Sequence, residues 1–365
     1  MFGNIYRGKK VLITGNTGFK GSWLSLWLHE LGAEAYGIAN GIPTQPSMFQ
    51  ELSIQQFVHY YEADIRDASQ IKKLVHSIQP DYIFHLAAQA LVSESYQDPL
   101  STISTNVMGT AHVLDALKDY PGICRVIVIT SDKCYDNVEW IWGYKETDAV
   151  GGKDIYSGSK GAAECIFKSY FHSFYKNKAG NITLVSARAG NVIGGGDWAK
   201  DRLIPDCIRA WSVGQAVEIR SPQATRPWQH VLEPLSGYLT LGWQLTLHPE
   251  LSGESFNFGP TSQINQTVLQ LLQDLSAHLK TKPEESYRIT GDITFDEAKL
   301  LKLNCDKALF YLKWYAALDY TMLTEFTGSW YSHFYCGEKN MLEFTLNQIR
   351  EYEAVAREKQ LKWTR

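Results

Sequence analysis

Five largely apolar residues, Val126 to Thr130, run straight into Ser131, Asp132 and Lys133 in the stretch VIVITSDKCYDN. A hydroxyl, a carboxylate and an ammonium side by side at the end of a buried-looking strand are groups that hold and move protons. Downstream, YSGSK sets Tyr156 and Lys160 four residues apart, hence on one face of a helix. A lysine ammonium beside the phenol is expected to lower the Tyr156 pKa, so that the tyrosine takes a proton from a hydroxyl near neutral pH. The lysine can also hold a nicotinamide ribose. Near the start of the chain, Gly15, Gly18 and Gly21 in GNTGFKG permit a tight turn, let a pyrophosphate approach the backbone and let a helix pack closely on a strand. Taken alone, GxxGxxG is an ordinary glycine turn and YxxxK an ordinary solvated helix face. The two in this chain order point to dinucleotide-dependent chemistry.

These residues need a frame. Lys10 to Thr14 reads as a short β-branched strand, followed by the glycine turn and by helical apolar spacing from Ser22 to Leu31. Glu34–Ala39, Gln56–Tyr61, Tyr82–Ala87, Val126–Ile129 and Thr183–Ala187 are the next expected strands. Helices are expected from Ser69 up to Pro80, around Asn106–Leu117 and over Tyr156–Tyr175. Continuously apolar strands alternating with helices predict an α/β fold with a doubly wound parallel sheet, of the Rossmann type. Residues 1–190 are the expected dinucleotide-binding domain, with a later segment at about 226–260 interleaved. Residues 191–365, richer in Gly, Pro and Trp and with shorter helices, are the expected mixed α/β substrate domain. The last segment, MLEFTLNQIREYEAVAREKQLKW, reads as an amphipathic helix that can end as a solvated tail.

The 365 residues are 44% apolar and carry a formal charge of −4 with no Lys/Arg-rich run, which argues against nucleic acid as a partner. No apolar run approaches a membrane span and no h-region precedes the first strand, so no membrane contact and a cytoplasmic location are expected. Cys124, Cys134, Cys165, Cys207, Cys305 and Cys336 form no CxxC pair, and the ten histidines have no HExxH spacing; free thiols and no metal are expected. The end of the second strand, AYGIANGIPTQP, offers neither an acid for a ribose 2′-hydroxyl nor an arginine for a 2′-phosphate, leaving NAD and NADP open on this criterion. Asn40 can bond a ribose or simply turn the chain. Asp64 can accept from an adenine amino group, cap the following helix or be a loop acid.

With both motifs in place, the chain resembles the extended short-chain dehydrogenase/reductase family over almost its whole length. More narrowly it resembles the CDP-glucose 4,6-dehydratases, through GNTGFKGSWLSLWL, HLAAQALV, TSDKCYDN, YSGSKGAAE, ARAGNVIGGGDWAKDRLIPD and RPWQHVLEPLSGYL in that order. The resemblance implies NAD, held by Gly15, Thr17, Gly18, Phe19, Gly21, Asp64, Ile65, Leu86, Ala87, Ala88, Thr105, Tyr156 and Lys160. It implies CDP-glucose as substrate, held by Gln89, Ser131, Asn191, Arg202, Leu203 and Arg226, and a helical homodimer contact. Bidentate guanidinium groups suit a diphosphate. Gly194 to Gly196 read more readily as a flexible loop than as a phosphate cradle, and Trp198, Trp211, Trp228 and Trp243 as core or as a stacking platform.

In related dehydratases the strand-end triplet is Thr-Asp-Glu; here Ser131, Asp132 and Lys133 match it. The resemblance makes Ser131, Asp132, Lys133, Tyr156 and Lys160 the catalytic set. Tyr156, helped by Ser131, deprotonates the sugar 4-hydroxyl as hydride leaves C4; a base removes the C5 proton while Asp132 protonates the departing 6-hydroxyl; hydride returns to C6. An ammonium at the base position accepts no proton unless desolvation or a neighbouring cation such as Lys160 keeps part of it neutral. A 4-epimerase or a dehydratase for another nucleotide remains an alternative, as does a non-catalytic nucleotide sensor, which has no need of Tyr156 and Lys160.

Overall fold

The structure, a computed structural model, describes residues 1–177, 181–219, 221–260, 266–279, 281–282, 285–290, 300–335, 337 and 340–365. Its centre is a seven-stranded parallel sheet made of β1 (Lys10–Thr14), β2 (Glu34–Ala39), β3 (His59–Glu62), β4 (Tyr82–His85), β5 (Cys124–Ile129), β6 (Ile182–Ala189) and β7 (Ser255–Phe258). The spatial order is β7-β6-β5-β4-β1-β2-β3, every pair parallel. The order therefore reverses between β1 and β4. In a doubly wound sheet, ligands bind at that switch, outside the carboxyl ends of the strands. Thr14, His85, Ile129 and Ala189 are those ends, so the glycine turn, Leu86–Gln89, Ser131–Lys133 and Asn191 all open onto one edge.

Alternate side chains explain why both sheet faces are covered. Val11, Ile13, Phe84, Ile127 and Val185 enter one core with helices α1 (Phe19–Glu30), α6 (Leu232–Leu247) and α9 (Met341–Glu358). Leu12, Ile38, Ile83, Val126, Val128 and Leu184 enter the other with α2 (Ala68–Ile78), α3 (Gly109–Asp115) and α4 (Ile155–Tyr170). Such strands are buried on both sides and must be continuously apolar. After β6 the chain forms α5 (Leu203–Ser212), returns through α6 to β7, and adds α7 (Val268–His278) and α8 (Tyr320–Tyr335) before α9.

Several element boundaries depart from the sequence reading. The third strand is His59–Glu62 rather than Gln56–Tyr61, because Ile54–Gln56 is drawn into a tight turn anchored by buried Ile54. The first helix starts at Phe19, capped by Gly18, and not at Ser22. The helix expected from Asn106 begins at Pro99, where the Asp98 carboxylate accepts from Ser101 N at 2.9 Å, and passes through a wide turn at Ser104–Met108. The C-terminus is not a solvated tail. Trp363 is buried, stacked on Phe2 with ring centroids 5.0 Å apart and near Tyr352 at 5.8 Å. An aromatic of this size removes on the order of 200 Å² from water, which fastens the last turn to the first.

Trp198, Trp211, Trp228 and Trp243 are all buried, so none is a surface platform. Gly194–Gly196 are not a flexible loop: a Cβ on Gly195 would lie 2.0 Å from the Trp330 ring, and Gly195 O accepts from Trp23 Nε1 at 2.9 Å. Among the described residues no helix is long and apolar enough to cross a membrane, and no three His, Cys, Asp or Glu side chains are grouped to hold a metal. Cys124, Cys134, Cys165, Cys207 and Cys305 are free thiols; Cys336 lies outside the described residues.

Candidate active site

The glycine turn is built for close approach. Gly15 has φ +76°, and a Cβ there would come within 2.8 Å of the Ala87 backbone; at Gly21 a Cβ would lie 2.1 Å from Gly15 O. The helix cap Gly18 has no side chain to satisfy the first N–H groups of α1, which leaves them for an anion. Thr17 Oγ1 donates to Gly41 O at 2.7 Å and holds the turn against the β2 exit. Asn16, fully buried against Gly37, has no partner on either end of its amide among the described residues. A bare backbone cradle, an uncapped helix end and an unpaired amide fit a dinucleotide pyrophosphate.

The exit of β4 is tied to this turn. Thr14 Oγ1 accepts from Ala87 N at 3.2 Å and pairs with His85 Nδ1 at 2.7 Å, while His85 Nε2 meets Thr110 Oγ1 at 3.1 Å. Burial pushes the His85 pKa down to about 3, with the Lys160 charge adding to the effect, so the ring is neutral. Asn106 then clamps Gln89 from both sides, accepting from its N–H at 2.8 Å and donating to its carbonyl at 3.0 Å, and also donates to Ser159 Oγ at 2.8 Å. Leu86, Ala87, Ala88, Gln89 and Thr105 are thereby held, partly exposed, beside the start of α4. The sequence reading singled out Gln89 but not Asn106, whose part is visible only once β4 and α4 are neighbours.

Asp64 is not the cap of the next helix. Asp67 takes that role, accepting from Gln70 N at 2.9 Å. The Arg66 guanidinium grips both Asp64 oxygens and holds its carboxyl below the usual range, with Asn40 Nδ2 reaching it at 3.4 Å. Ile65 is buried, and its carbonyl accepts from His112 Nδ1 at 2.9 Å.

At the β5 exit, Ser131 Oγ donates to Asp132 Oδ1 at 2.9 Å and accepts from Lys133 N at 3.3 Å, capping the turn Asp132–Cys134. Gly190 makes room for the carboxylate: a Cβ there would lie 1.9 Å from Asp132 Oδ2. Tyr156 and Lys160 are buried on α4, which Asp154 caps through Ser157 N at 2.9 Å. The expected lowering of the Tyr156 pKa is not what this arrangement gives. Burial pushes it up to about 12, opposed by a hydrogen bond with Ser131 and by the Arg202 charge. Desolvation of the phenolate outweighs both. Lys160 is pulled down to about 8 by burial, against the pull of Cys134 and Glu164.

Asn191 adopts a left-handed φ of +52°, which asparagine tolerates better than most residues, and its carbonyl accepts from Gln229 N at 3.1 Å. Arg202, next to Leu203 at the start of α5, is bound to Asp197 Oδ2 at 2.9 Å, and its charge acts on Tyr156. Arg226 lies farther along the chain, on the short strand Thr225–Arg226 paired with Gln266–Thr267, and donates to Thr225 O at 3.0 Å. Lys20 escaped the sequence reading. Its charge is felt together with those of Arg202, Lys160 and Asp132, and its Nζ stands 5.9 Å from the Tyr238 ring centroid. The signal was present in the sequence: Lys20 is the sole charged side chain between Gly15 and Leu28, in a helix otherwise buried from Gly21 to Leu28.

Behind these residues lies a second charged group. Glu164 and Arg188, both fully buried, pair at 2.7 Å. Glu164 also accepts from Thr130 Oγ1 at 2.6 Å, Ser186 Oγ at 2.9 Å and Ser255 Oγ at 3.1 Å, linking the β5 exit to the middle of β6 and the start of β7. Arg188 donates to Tyr135 OH at 2.7 Å and so fixes the loop that carries Ser131–Lys133.

Comparison with known proteins bears on the family and the fold. The GDP-mannose 4,6 dehydratase family pattern matches residues 12–325. The CDP-glucose 4,6-dehydratase of Salmonella typhimurium is 44% identical over 353 residues, covering 96% of this chain and 97% of that protein. Among solved structures, a dTDP-glucose 4,6-dehydratase from Streptomyces venezuelae, with NAD and TYD bound, superposes with TM-score 0.75 at 20% identity, covering 88% of this chain and 96% of its own. A UDP-glucuronic acid 4-epimerase from Bacillus cereus, in complex with UDP-glucuronic acid and NAD, gives TM-score 0.75 at 20% identity, with 89% and 99% covered. The two solved structures speak for the fold alone, whereas the family match and the full-length relative establish kinship: the chain belongs to the GDP-mannose 4,6 dehydratase family of extended short-chain dehydrogenase/reductases.

Proposed function

We propose that this protein is an NAD-dependent hydro-lyase that converts CDP-glucose to CDP-4-keto-6-deoxyglucose. The observation that carries the reading is the buried pair Ser131–Asp132 at 2.9 Å beside Tyr156, an acid placed next to the hydroxyl group that takes the sugar's 4-hydroxyl proton. A 4-epimerase uses Ser131 and Tyr156 but gives an acid at Asp132 nothing to protonate. The choice of the CDP-sugar rests on the full-length relative.

The Gly15–Gly21 turn, Tyr156 and Lys160 would hold NAD, which would supply the reversible hydride transfer that the oxidation at C4 and the reduction at C6 require. Tyr156 takes the 4-hydroxyl proton, and the hydrogen bonds of Ser131 lead that proton on to Asp132. Asp132 then protonates the departing 6-hydroxyl, which leaves as water. The C5 proton goes to an amine, for which we propose Lys133, next to Asp132. Gln89, Asn191, Arg202, Leu203 and Arg226 form the substrate side, with the guanidinium groups facing the diphosphate.

We also place the protein in the cytoplasm as a homodimer. Tyr96, Leu100, Ile103 and Met108 leave an exposed apolar strip on the helical segment before α3, which a second copy can cover.

Parallel incubation of the protein and NAD with CDP-, dTDP-, UDP- and GDP-glucose, read by mass spectrometry, tests the reading. Loss of one water from CDP-glucose alone is the expected result; an unchanged mass with C4 inverted, or preference for another nucleotide, contradicts it.

A further inference from the structure

The carboxylate of Asp132 lies against the backbone of Gly190. A Cβ on Gly190 would stand 1.9 Å from Asp132 Oδ2, 2.1 Å from Cγ and 2.4 Å from Oδ1, so only a glycine leaves the acid where it is. On its other side the acid has one hydrogen bond, which Ser131 Oγ donates to Oδ1 at 2.9 Å. Oδ2 accepts none among the described residues, so the Gly190 backbone sets its place. The position of Gly190 is set in turn by Gln229. The side-chain nitrogen of Gln229 donates to Gly190 O at 3.0 Å and to Phe258 O at 3.0 Å, and its backbone N–H donates to Asn191 O at 3.1 Å. Gly190 stands just past the last rung of the β6–β7 ladder, where Ala189 faces Phe258. Gln229, on a short strand beside Val192–Ile193, ties the two strand ends together there.

The chemistry of the side chain suits this task. A carboxamide nitrogen carries two N–H donors, which match two carbonyls. Gln229 is buried, and its Oε1 has no hydrogen bond among the described residues. An unpaired buried acceptor disfavours a glutamine here unless its two donors are needed. We propose that Gln229 is a positioning residue for the dehydration step: by fixing the Gly190 carbonyl it holds the wall on which Asp132 rests, and with it the acid that protonates the departing 6-hydroxyl. The proposal rests on the dehydratase reading and adds the residue that aims its acid.

The oxidation at C4 depends on this support less than the loss of water does. Tyr156 is hydrogen-bonded to Ser131, on the Oδ1 side of Asp132, and those bonds run through neither Gly190 nor Gln229. Without the Gln229 donors the Gly190 peptide can turn toward another partner, and the Asp132 carboxylate moves with it. A displacement of about 1 Å in a reacting group costs on the order of 10²-fold in the step it serves. That step is the one in which the C6–O bond breaks and the hydroxyl takes the Asp132 proton and leaves as water.

The test uses the full-length protein with NAD and CDP-glucose, comparing wild type, Gln229→Met and Gly190→Ala. Methionine keeps the length of the side chain without its donors, and alanine pushes on the carboxylate directly. The readouts are NAD binding by calorimetric titration, the absorbance of reduced nicotinamide during a single turnover, and loss of water from the sugar by mass spectrometry. Both variants should bind NAD and oxidise C4 as the wild type does, yet lose water roughly 10²-fold more slowly, so that reduced nicotinamide accumulates. A glutamine that merely joined strand ends would slow both steps alike. Gln229→Met with both steps slowed equally, with NAD binding lost, or with water lost at the wild-type rate overturns the proposal, as does a Gly190→Ala that dehydrates normally. Gln229→Met decides the matter even where Gly190→Ala fails to fold. A wild type that leaves CDP-glucose unchanged overturns the dehydratase reading itself, and this inference with it.

Discussion

Two charged clusters meet at the carboxyl ends of β5 and β6, both acting on Cys134 between them. In one, Glu164 and Arg188 are fully buried and matched: the carboxylate accepts from three hydroxyls and a guanidinium, and although burial raises its pKa, Arg188 and these hydrogen bonds bring it below the usual carboxylate range. In the other, Lys20, Lys160 and Arg202 face Asp132 and Asp197, cations outnumber anions, and two of the three cations are pulled toward neutrality. A matched cluster has nothing left to offer a ligand and serves as a strut. The unmatched cluster has protons and charge to spend, the condition expected of a catalytic site. They sit one helical turn apart on α4, at Lys160 and Glu164, so the strut holds the reactive group in place.

If the division is real, the two clusters must break differently. Tyr156→Phe should lower turnover of CDP-glucose by roughly 10³-fold, as for loss of a general acid–base group, while shifting stability by less than about 1 kcal/mol. Steady-state rates and urea titration of the same variant check both halves. Glu164→Gln, one turn along, should do the reverse. Leaving Arg188 buried without its counter-charge should cost about 3–5 kcal/mol of stability, read as a fall in the urea midpoint. A strut that could be removed without loss of stability would erase the contrast.

A smaller effect concerns the neutral groups that flank the clusters. His85 and His230 are buried, and burial lowers each from an ordinary value near 6.5 to about 3. Between those values the unfolded chain binds protons that the folded chain does not. Stability is therefore fully present above pH 6.5 and is lost as pH falls toward 3, by about 1.4 kcal/mol per pH unit for each histidine. His85→Gln should flatten this slope in urea midpoints measured from pH 7 to pH 5. A slope unchanged in the variant would mean that His85 is not held neutral.

The inner strands were legible because they are buried on both faces and so read as continuous apolar runs, whereas the edge strand β3, HYYE, is mostly exposed and gives no such run. Their ends were harder, since Ile54 and Asp98 draw neighbouring residues into turns and caps that apolar periodicity does not report. Ser131–Asp132 and Tyr156–Lys160 stood out because polar groups interrupt or face apolar patterns. The electrostatics could not be read in the same way. The spacing of Tyr156 and Lys160 gives their shared helix face but not the burial that raises the phenol pKa. Asn106, Glu164 and Arg188 act through partners far along the chain, and Lys20 meets Tyr238 only because α1 and α6 pack on the same sheet face.

The proposed reaction is an internal redox cycle in which one hydride leaves C4 and returns to C6 of the same sugar. Turnover of CDP-glucose carrying deuterium at C4, with the product mapped by NMR, tests it most directly. One deuterium at C6 of a 4-keto-6-deoxy product is the expected result. Deuterium remaining at C4, or lost to solvent or to free cofactor, would contradict it.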